Sequence, residues 1–509
     1  MAAPFWAQPR FVFSAILLYL LAHFAIRLSM GPALSTDDAE QAYFSQGYAW
    51  TYRYKAPPLF TWILVTLGQV MPLGAAAIAL IRYALLGIAY SFIYLTARRL
   101  IDDARLSALS VYSFAAFNPF ADSVHRNLTH STALIAAGAL AWYVFGRLAA
   151  SRHLGWYLAL GASCGLGLLA KWNFAILIAA LALACLLTRA GRPLILTWKI
   201  VPAALVTGAI VLTTFIATLD MQPPAEDLMS TVLDTEGGRS ATQVLKGTLN
   251  LLDAAIVYSL PFLPIAVLLF ALPLWRGLRG GGGSGAVGAW RPDAVFVGIT
   301  MAVGLGLLWM LVIVLGASQF KVRYLYPVLL VLPLWFFMVV ERGRPSARTL
   351  TVFVLVLASL TAFAAAKRVG RATGVVDCGL CPEWMPYVSL AEQLREAGYA
   401  GSGTILAAME MGGNLRPFFQ DAPVIDPTYP PGSLSAPLAA DQCLIVWMGG
   451  EATREFALGY LGEFLAGTLH GDLDAPHREG RLSAPMIEPA QGMLEIGYRL
   501  YEGPNGDCR

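Results

Sequence analysis

The chain has 509 residues, of which 57% are hydrophobic and only 13% are charged. Together with a mean hydropathy of +0.61, this composition excludes a water-soluble globular protein and predicts a polytopic membrane protein. The net charge of +3 is explained by basic loops on one side of a membrane, so it does not indicate binding to nucleic acid.

About eleven apolar runs predict the membrane-spanning helices. At about 1.5 Å per residue, most of them are long enough to cross a hydrocarbon core of ~30 Å. The runs lie near residues 11–30, 75–97, 106–120, 131–149, 154–170, 174–188, 201–219, 251–274, 294–316, 325–340 and 349–366. The runs at 106–120 and 174–188 are short, so the boundaries and the number of spans stay open.

The basic residues predict the orientation. If the N-terminus lies in the cytoplasm, the predicted cytoplasmic loops are rich in arginine and lysine, as the positive-inside rule requires. The residues that carry this bias are Arg98, Arg99, Arg105, Arg147, Arg152, Arg189, Arg192, Lys199, Arg276, Arg279, Arg291, Arg342, Arg344 and Arg348. We therefore expect the loop after the first span and the C-terminal region outside the cytoplasm, with the first span kept as an uncleaved anchor.

The composition changes after Phe363. Helical patterns follow in SLAEQLREAG and TREFALGYLGEFLAG, a turn and helix in GGNLRPFF, and strand patterns in GTILAA, CLIVWM and MLEIGYRLYEG. We therefore predict a transmembrane domain over residues 1–370 and a small α/β domain over residues 371–509.

Four of the six cysteines lie in the C-terminal region, at Cys378, Cys381, Cys443 and Cys508. In an oxidising compartment we expect them to form disulfides, although the sequence does not choose among the three possible pairings. The CxxC spacing also occurs in redox and zinc sites, but no second CxxC or pair of histidines accompanies it. Cys164 and Cys185 lie in predicted spans, where cysteine packs as a small apolar residue.

A polar loop between two membrane-length runs is the most informative segment. Its sequence, TDDAEQAYFSQGYAWTYRYKAPPLFTW over residues 36–62, brings acids, aromatic residues and prolines to a membrane surface. This suggests a lipid-facing active site within the loop 31–74.

The start of this loop predicts a short helix capped by Ser35 or Thr36. In such a helix Asp37 and Glu40 share a face, together with Gln41 and Phe44, whereas Asp38 projects about 100° away. The alternative is that both aspartates only complement the positive end of the helix dipole.

Basic residues also occur on the predicted outer side, where the positive-inside rule predicts few of them. Lys55 precedes a rigid Pro57-Pro58, Lys171 follows the fifth span, and KVRY places Lys321 and Arg323 before the tenth. Fixed cations at headgroup depth can bind a lipid phosphate and neutralise the charge that develops on a polyprenyl-phosphate leaving group. The alternative for each lysine is snorkelling to the interface.

These segments resemble the GT-C superfamily of membrane glycosyltransferases. The resemblance rests on the acid pair outside the first span, the Pro-Pro before the second, LLAKWNF, KVRY and the C-terminal GGNLRPFF. The chain is similar to the bacterial branch with lipopolysaccharide galacturonosyltransferases, lipid A aminoarabinose transferases and protein O-mannosyltransferase-like enzymes. The resemblance implies a polytopic α-helical protein of about 11 transmembrane helices with a C-terminal extracytoplasmic α/β domain.

The resemblance also implies a reaction. A sugar would pass, with inversion, from a polyprenyl-phosphate donor to a hydroxyl of a lipopolysaccharide or another envelope glycan, on the outer side of the bacterial inner membrane. Asp37 then matches the general base, and Asp38 takes a catalytic position that relatives usually fill with Glu. The donor phosphate would be bound by Lys55, Lys171, Lys321 and Arg323.

Contacts to the sugar or acceptor are expected from Glu40, Tyr43, Tyr54 and His130. Two of these positions depart from the family, because some relatives have an acid at Tyr54 and many have Asp at His130. A divalent cation is a possible cofactor, since Asp37, Asp38, Glu40 and His130 could supply ligands, but their spacing is not diagnostic of a metal site.

Two other functions compete at this stage. A transporter would place charged residues near the bilayer midplane and show a pseudo-repeat, whereas the charges here collect at one face. A structural protein of envelope assembly would leave Asp37 and Lys55 freely replaceable. The sugar stays open: a uronic acid fits the resemblance and the outer cations, and a neutral hexose or pentose is the alternative.

Overall fold

The computed structural model describes residues 4–53, 56–221, 240–279, 291–376, 381–426, 442–450, 453–455, 457–459, 476–487 and 491–502. The N-terminal part is helical: α1 Pro9–Ser29, α2 Thr36–Phe44, α3 Leu59–Leu67, α4 Ala75–Leu100, α5 Ala104–Tyr112, α6 Val124–Arg126, α7 Thr129–Ser151, α8 Leu154–Ala170, α9 Ala175–Leu187, α10 Arg192–Ile195, α11 Ile200–Asp220, α12 Ala241–Ser259, α13 Phe262–Leu269, α14 Ala271–Arg279, α15 Ala294–Leu315, α16 Tyr326–Leu329, α17 Leu332–Arg342 and α18 Ala347–Ala372. The C-terminal part adds α19 Tyr387–Glu396, β1 Thr404–Ala407, α20 Met409–Leu415, β2 Val424–Ile425, β3 Gln442–Met448, β4 His477–Pro485 and β5 Met493–Glu502.

Six described helices are long and apolar enough to cross a membrane, namely α1, α4, α7, α11, α15 and α18. Two bent pairs raise the number to eight: α13 with α14, bent by 82°, and residues 322–329 with α17, bent by 45°. The prediction of eleven spans is therefore not confirmed. The run at 251–274 is divided among three helices, with Pro261 and Pro273 at or near the breaks, because proline removes a helix hydrogen bond and clashes with the preceding turn.

Helix α7 forms the centre of the membrane domain, packed against α4 and α8. Most of its side chains are buried, and many are small, as in the segment STALIAAGALA over residues 131–141. Small residues let helices approach closely in a membrane. This packing brings the N-terminal end of α7 to the loop that contains α2.

The C-terminal part forms a five-stranded sheet in the order β2-β1-β3-β5-β4, with α19 and α20 packed against it. Strands β2, β1 and β3 are parallel, whereas β3, β5 and β4 are antiparallel. The predicted helix α19 and strands β1, β3 and β5 are confirmed. Strands β2 and β4 were not predicted: β2 has two residues, and β4 is an exposed edge strand with charged side chains.

The cysteines follow the expected division. Cys381 and Cys443 are both disulfide-bonded, whereas Cys164 and Cys185 are free and buried among the spans. Cys378 and Cys508 lie outside the described residues.

Candidate active site

A cavity of about 660 Å³ lies where α2 meets the ends of several membrane helices. We call it the main cavity. Its polar lining comes from Asp37 and Glu40 of α2, His130 of α7, Lys171 after α8, and Arg323 before α16. Its apolar lining comes from α9, α11 and α15, through Ile176, Phe215, Leu308 and Leu311. The cavity therefore combines a charged end with an apolar wall.

Asp37 is the partly exposed acid at the charged end. Its Oδ2 accepts a hydrogen bond of 3.1 Å from the backbone N–H of Leu128 and lies 3.8 Å from the guanidinium of Arg323. The side chain keeps 27% of its surface exposed. This carboxylate is thus held in place while remaining accessible from the cavity.

Asp38 points elsewhere. Its side chain is buried and forms an ion pair with the fully buried Arg82 of α4. The predicted divergence of Asp37 and Asp38 around the helix is confirmed, but Asp38 does not line the main cavity with Asp37. A buried carboxylate needs such a partner, because breaking a buried ion pair typically costs ~3–5 kcal/mol.

Glu40 lies one turn after Asp37 and lines the same cavity. Burial, and to a lesser degree the charge of Asp37, raise the pKa of the Glu40 carboxyl from its usual 4.5 to about 7. The positive charges of Arg53, Arg323 and Lys171 act in the opposite direction. Glu40 therefore changes its charge near neutral pH.

His130 is fixed by a short chain of hydrogen bonds. The Thr61 hydroxyl donates to Oε1 of Gln41 at 2.7 Å, and Nε2 of Gln41 lies 2.8 Å from Nε2 of His130. The amide then donates to His130, which assigns the imidazole hydrogen to Nδ1. That Nδ1 is buried without a hydrogen-bond partner among the described residues.

The predicted phosphate-binding cations divide between two cavities. Lys171 and Arg323 line the main cavity, where the Lys171 ammonium lies 3.3 Å from the Ser131 hydroxyl. Lys321 instead lines a neighbouring cavity of about 270 Å³, which also includes Arg323. Lys55 and Tyr54 lie outside the described residues.

Tyr43 does not line the main cavity, contrary to the expectation of a sugar or acceptor contact. The side chain is buried against the C-terminal domain, and its hydroxyl accepts a hydrogen bond of 3.0 Å from the backbone N–H of Asp426. The reason is its position on α2, because residue 43 faces the C-terminal sheet whereas residues 37 and 40 face the membrane helices.

Several polar residues of the main cavity were not predicted from the sequence, among them Arg53, Trp172 and Asn173. The indole N–H of Trp172 and both amide atoms of Asn173 are buried without a hydrogen-bond partner in the described part of the chain. Buried polar groups are normally satisfied, so these three atoms call for a partner such as an ordered water or a bound ligand. The motif LLAKWNF contained both residues, but only its lysine was singled out.

The C-terminal domain supports α2 through α20. Oδ1 of Asn414 accepts a bond of 2.7 Å from the Leu34 N–H, and its amide nitrogen donates to the Leu34 carbonyl at 3.3 Å. Gly413 lies so close to α2 that an added Cβ would stand 2.1 Å from the carbonyl oxygen of Ala39. These residues belong to the GGNLRPFF segment, in which close packing against α2 requires a glycine at position 413.

No group of three or more metal-ligating side chains is assembled within the described residues. Asp38 is paired with Arg82, and His130 is bonded to Gln41. The four residues that could have supplied metal ligands are therefore not brought together around one point.

Comparison with known proteins gives matches over most of the chain. Residues 55–219 match the family described as dolichyl-phosphate-mannose-protein mannosyltransferase. The lipopolysaccharide core galacturonosyltransferase RgtB of Rhizobium johnstonii is 29% identical over 480 residues, which cover 92% of this chain and 94% of RgtB. RgtA of the same organism is 27% identical over 487 residues, covering 94% and 95%.

Solved structures share the fold. The structure of ArnT from Cupriavidus metallidurans bound to undecaprenyl phosphate matches with a TM-score of 0.57 and 14% identity, over 95% of this chain and 97% of ArnT. The mycobacterial arabinofuranosyltransferase AftD matches with a TM-score of 0.51 and 15% identity, over 99% of this chain and 40% of AftD. The chain is therefore a multi-pass membrane glycosyltransferase with the GT-C fold, similar to the lipopolysaccharide galacturonosyltransferases and to ArnT.

Proposed function

We propose that the protein transfers a sugar from a polyprenyl-phosphate donor to a hydroxyl of a lipopolysaccharide acceptor, on the outer side of the bacterial inner membrane. The observation that carries the proposal is the main cavity, in which the Asp37 carboxylate lies beside Lys171 and Arg323 at the charged end of an apolar wall. An amphiphilic cavity of this kind suits an anionic lipid that carries the reacting group.

The apolar wall supports the donor assignment. Helix α11 is exposed along most of its length, and its Phe215 is 50% exposed while also lining the main cavity. The wall therefore borders the surface that lipid would cover. A polyprenyl chain on this wall would bring its phosphate to Lys171 and Arg323, whose positive charge favours departure of the phosphate.

The reaction then needs one base. The acceptor oxygen attacks the anomeric carbon, the bond between that carbon and the phosphate oxygen breaks, and polyprenyl phosphate leaves with the electron pair. Asp37 accepts the proton of the acceptor hydroxyl. A positioned carboxylate contributes typically ~100-fold to 10,000-fold to the rate of such a step.

Asp38 has a different part in the proposal. Because it is buried on Arg82 and does not line the main cavity, we assign it as a positioning residue. The ion pair fixes the first turn of α2 to α4, and thereby the direction of the Asp37 carboxylate. Arg82, which the sequence analysis did not single out, shares this role.

A uronic acid is the sugar that we propose. The names of RgtA and RgtB state that those relatives transfer galacturonic acid, and the main cavity has three basic side chains, Arg53, Lys171 and Arg323, beside two acids. One of these cations can pair with the sugar carboxylate while another binds the phosphate.

The test is mass spectrometry of the envelope glycolipids of cells with and without the protein. We expect one lipopolysaccharide species to lose the mass of a single hexuronic acid when the protein is absent. Loss of a neutral hexose or pentose mass would keep the transferase and reject the uronic acid, and unchanged lipopolysaccharide would reject this acceptor.

A further inference from the structure

A second polar cavity adjoins the main cavity. It has a volume of about 270 Å³, and we call it the side cavity. Its lining includes Asn118, Ser123 and Asn127 together with Lys321 and Arg323. We propose that the side cavity binds the acceptor sugar and that Lys321 pairs with a negative charge on it. This inference rests on the proposed function, because it assigns the second substrate of that reaction.

The contacts of Asp37 link the two cavities. Asp37 lines the main cavity, but both groups that hold its Oδ2, the N–H of Leu128 and the guanidinium of Arg323, belong to residues that line the side cavity. An inverting transfer needs the acceptor on the face of the anomeric carbon opposite the leaving group, with the base beside the acceptor. Two cavities that meet at the base satisfy this requirement.

The backbone of Leu128 gives a second argument. Leu128 has φ of +72° and ψ of +46°, a left-handed conformation that a bulky residue rarely adopts. The conformation is strained and persists only where the surroundings enforce it. Here it turns the chain between the side cavity and α7, and directs its N–H to Asp37. Strain of this kind collects at binding sites.

The chemistry of the lining indicates the class of ligand. Two amides and one hydroxyl can exchange hydrogen bonds with sugar hydroxyls, and the described residues of the side cavity include two cations but no acid. The carboxylate of Asp122, next to Ser123 in the chain, is paired with Arg371 at 2.7 Å. Arg323 already faces the Asp37 carboxylate at 3.8 Å, so Lys321 is the cation of the side cavity that is available to an anionic ligand.

This assignment changes the role of Lys321. The sequence motif KVRY suggested that Lys321 and Arg323 act together on the donor phosphate. In the structure the two side chains line different cavities. Arg323 lines both cavities, whereas Lys321 is exposed and lines only the side cavity. Lys321 is thus placed to select the acceptor, and Arg323 to contact either substrate.

The test uses purified full-length enzyme, polyprenyl-phosphate galacturonic acid as donor, and core oligosaccharide released from lipopolysaccharide as acceptor. The oligosaccharide is used in native, carboxyl-reduced and dephosphorylated forms, because its negative charge can come from carboxylate or phosphate. Lys321→Ala is compared with Lys367→Ala, which removes an exposed lysine that lines neither cavity. Binding of the oligosaccharide without donor is measured by calorimetry in parallel.

We expect Lys321→Ala to raise the acceptor KM about tenfold, and to leave kcat and the donor KM within about twofold of wild type, since one charge-assisted bond is lost from one substrate. Lys367→Ala should match wild type. With wild-type enzyme, one of the two modified oligosaccharides should have the KM that Lys321→Ala shows for the native oligosaccharide. With Lys321→Ala, the KM of that modified oligosaccharide should not increase further. That form identifies whether the recognised group is a carboxylate or a phosphate.

The proposal is overturned if Lys321→Ala raises the donor KM instead, if it leaves both KM values unchanged, or if it affects the native and modified oligosaccharides equally. Failure of the proposed function looks different. If the wild-type enzyme binds the oligosaccharide but transfers no sugar, and Lys321→Ala binds the oligosaccharide more weakly, the acceptor site is confirmed and the assigned reaction is wrong.

Discussion

Asp37 and Asp38 are neighbours in the chain with carboxylates in different surroundings. Asp37 keeps contact with the main cavity, whereas Asp38 is enclosed with Arg82 between α2 and α4. A catalytic base must contact its substrate, and a carboxylate buried in an ion pair, such as that of Asp38, cannot do so. We therefore propose Asp37 for proton transfer and Asp38 for the placement of the helix.

Removal of Arg82 should destabilise the protein. Arg82→Ala leaves the Asp38 carboxylate buried without its partner, and we expect a loss of about 3–5 kcal/mol in the free energy of unfolding. The measurement is thermal or denaturant unfolding in detergent. The control is Arg291→Ala, which breaks an exposed pair with Asp102 at 3.5 Å and should cost less than about 1 kcal/mol. Equal stability of both variants would contradict the positioning role.

We predict that donor binding depends on pH because Glu40 changes its charge. With its pKa raised to about 7 by burial and by Asp37, the carboxyl is mostly neutral at pH 6 and mostly charged at pH 8. The charged form repels a donor phosphate in the same cavity, so donor affinity falls as the pH rises through about 7. The nearby Arg53 and Arg323 are the same in Glu40→Gln. Burial lowers the pKa of the Lys171 ammonium to about 7, so its loss of positive charge also weakens donor binding as the pH rises, in wild type and in Glu40→Gln.

The measurement compares binding of undecaprenyl phosphate to wild type and Glu40→Gln at each pH, so that titration of the lipid itself cancels. We expect equal dissociation constants at pH 6 and an affinity about fivefold to tenfold higher for Glu40→Gln at pH 8, since one nearby charge is worth ~1 kcal/mol in a partly solvated site. A ratio that does not change with pH would show that Glu40 does not titrate beside the phosphate.

At the scale of elements, the candidate active site lies on a helix, α2, that is in close contact with α20. The C-terminal domain supplies hydrogen bonds to the start of α2 through Asn414 and a close backbone contact at Gly413. Helix α2 has only nine residues, too few for stability on its own. Its position is therefore set by packing.

Gly413→Ala tests this dependence. The new Cβ would lie 2.1 Å from the carbonyl oxygen of Ala39, so α2 and α20 must move apart. We expect activity to fall at least about tenfold, because a base displaced by about 1 Å can cost up to ~100-fold in rate. The control is Gly450→Ala, whose Cβ meets nothing within 4 Å. Equal activity of the two variants would mean that α20 does not position α2.

Several elements of the fold and of the candidate site could be predicted from local patterns in the sequence. The face shared by Asp37 and Glu40 follows from helical periodicity, and β1, β3 and β5 follow from their apolar composition. The partners of these residues could not be predicted in the same way. Arg82 lies 44 positions after Asp38 in an apolar helix, and nothing in its neighbourhood marks it as an ion-pair partner.

The side cavity was missed for a related reason. Asn118 and Asn127 are separated from Lys321 by about 200 positions of chain, and only the packing of α7 against α16 brings their segments together. The number of spans also depends on tertiary structure, because the sequence shows apolar length but not where proline breaks divide a run into helices, as at 251–274.

At the scale of the molecule, we propose that the boundary near residue 370 separates a membrane domain from a domain outside the cytoplasm. The arginine-rich loops support this orientation by the positive-inside rule. The disulfide-bonded Cys381 and Cys443 support it independently. In this orientation α2, both cavities and the C-terminal sheet share the outer side.

Introduced cysteines test the orientation. Ser402→Cys, at an exposed position of the C-terminal domain, should react in intact spheroplasts with a thiol reagent that does not cross membranes. Ser284→Cys, in the glycine run between α14 and α15, should react only after the membrane is opened. The wild-type protein gives the background from its own cysteines. The reverse pattern would reject both the orientation and an active site on the outer side.

The central claim is that Asp37 is the base of a sugar transfer from polyprenyl phosphate. Its most direct test is turnover of purified Asp37→Asn with polyprenyl-phosphate galacturonic acid and lipopolysaccharide core, because asparagine keeps the shape of the side chain and removes its basicity. We predict undiminished binding of undecaprenyl phosphate, an unchanged melting temperature, and a rate lowered by at least ~100-fold. A rate near that of wild type would contradict the account and leave Asp37 as an acid that only stabilises the start of its helix.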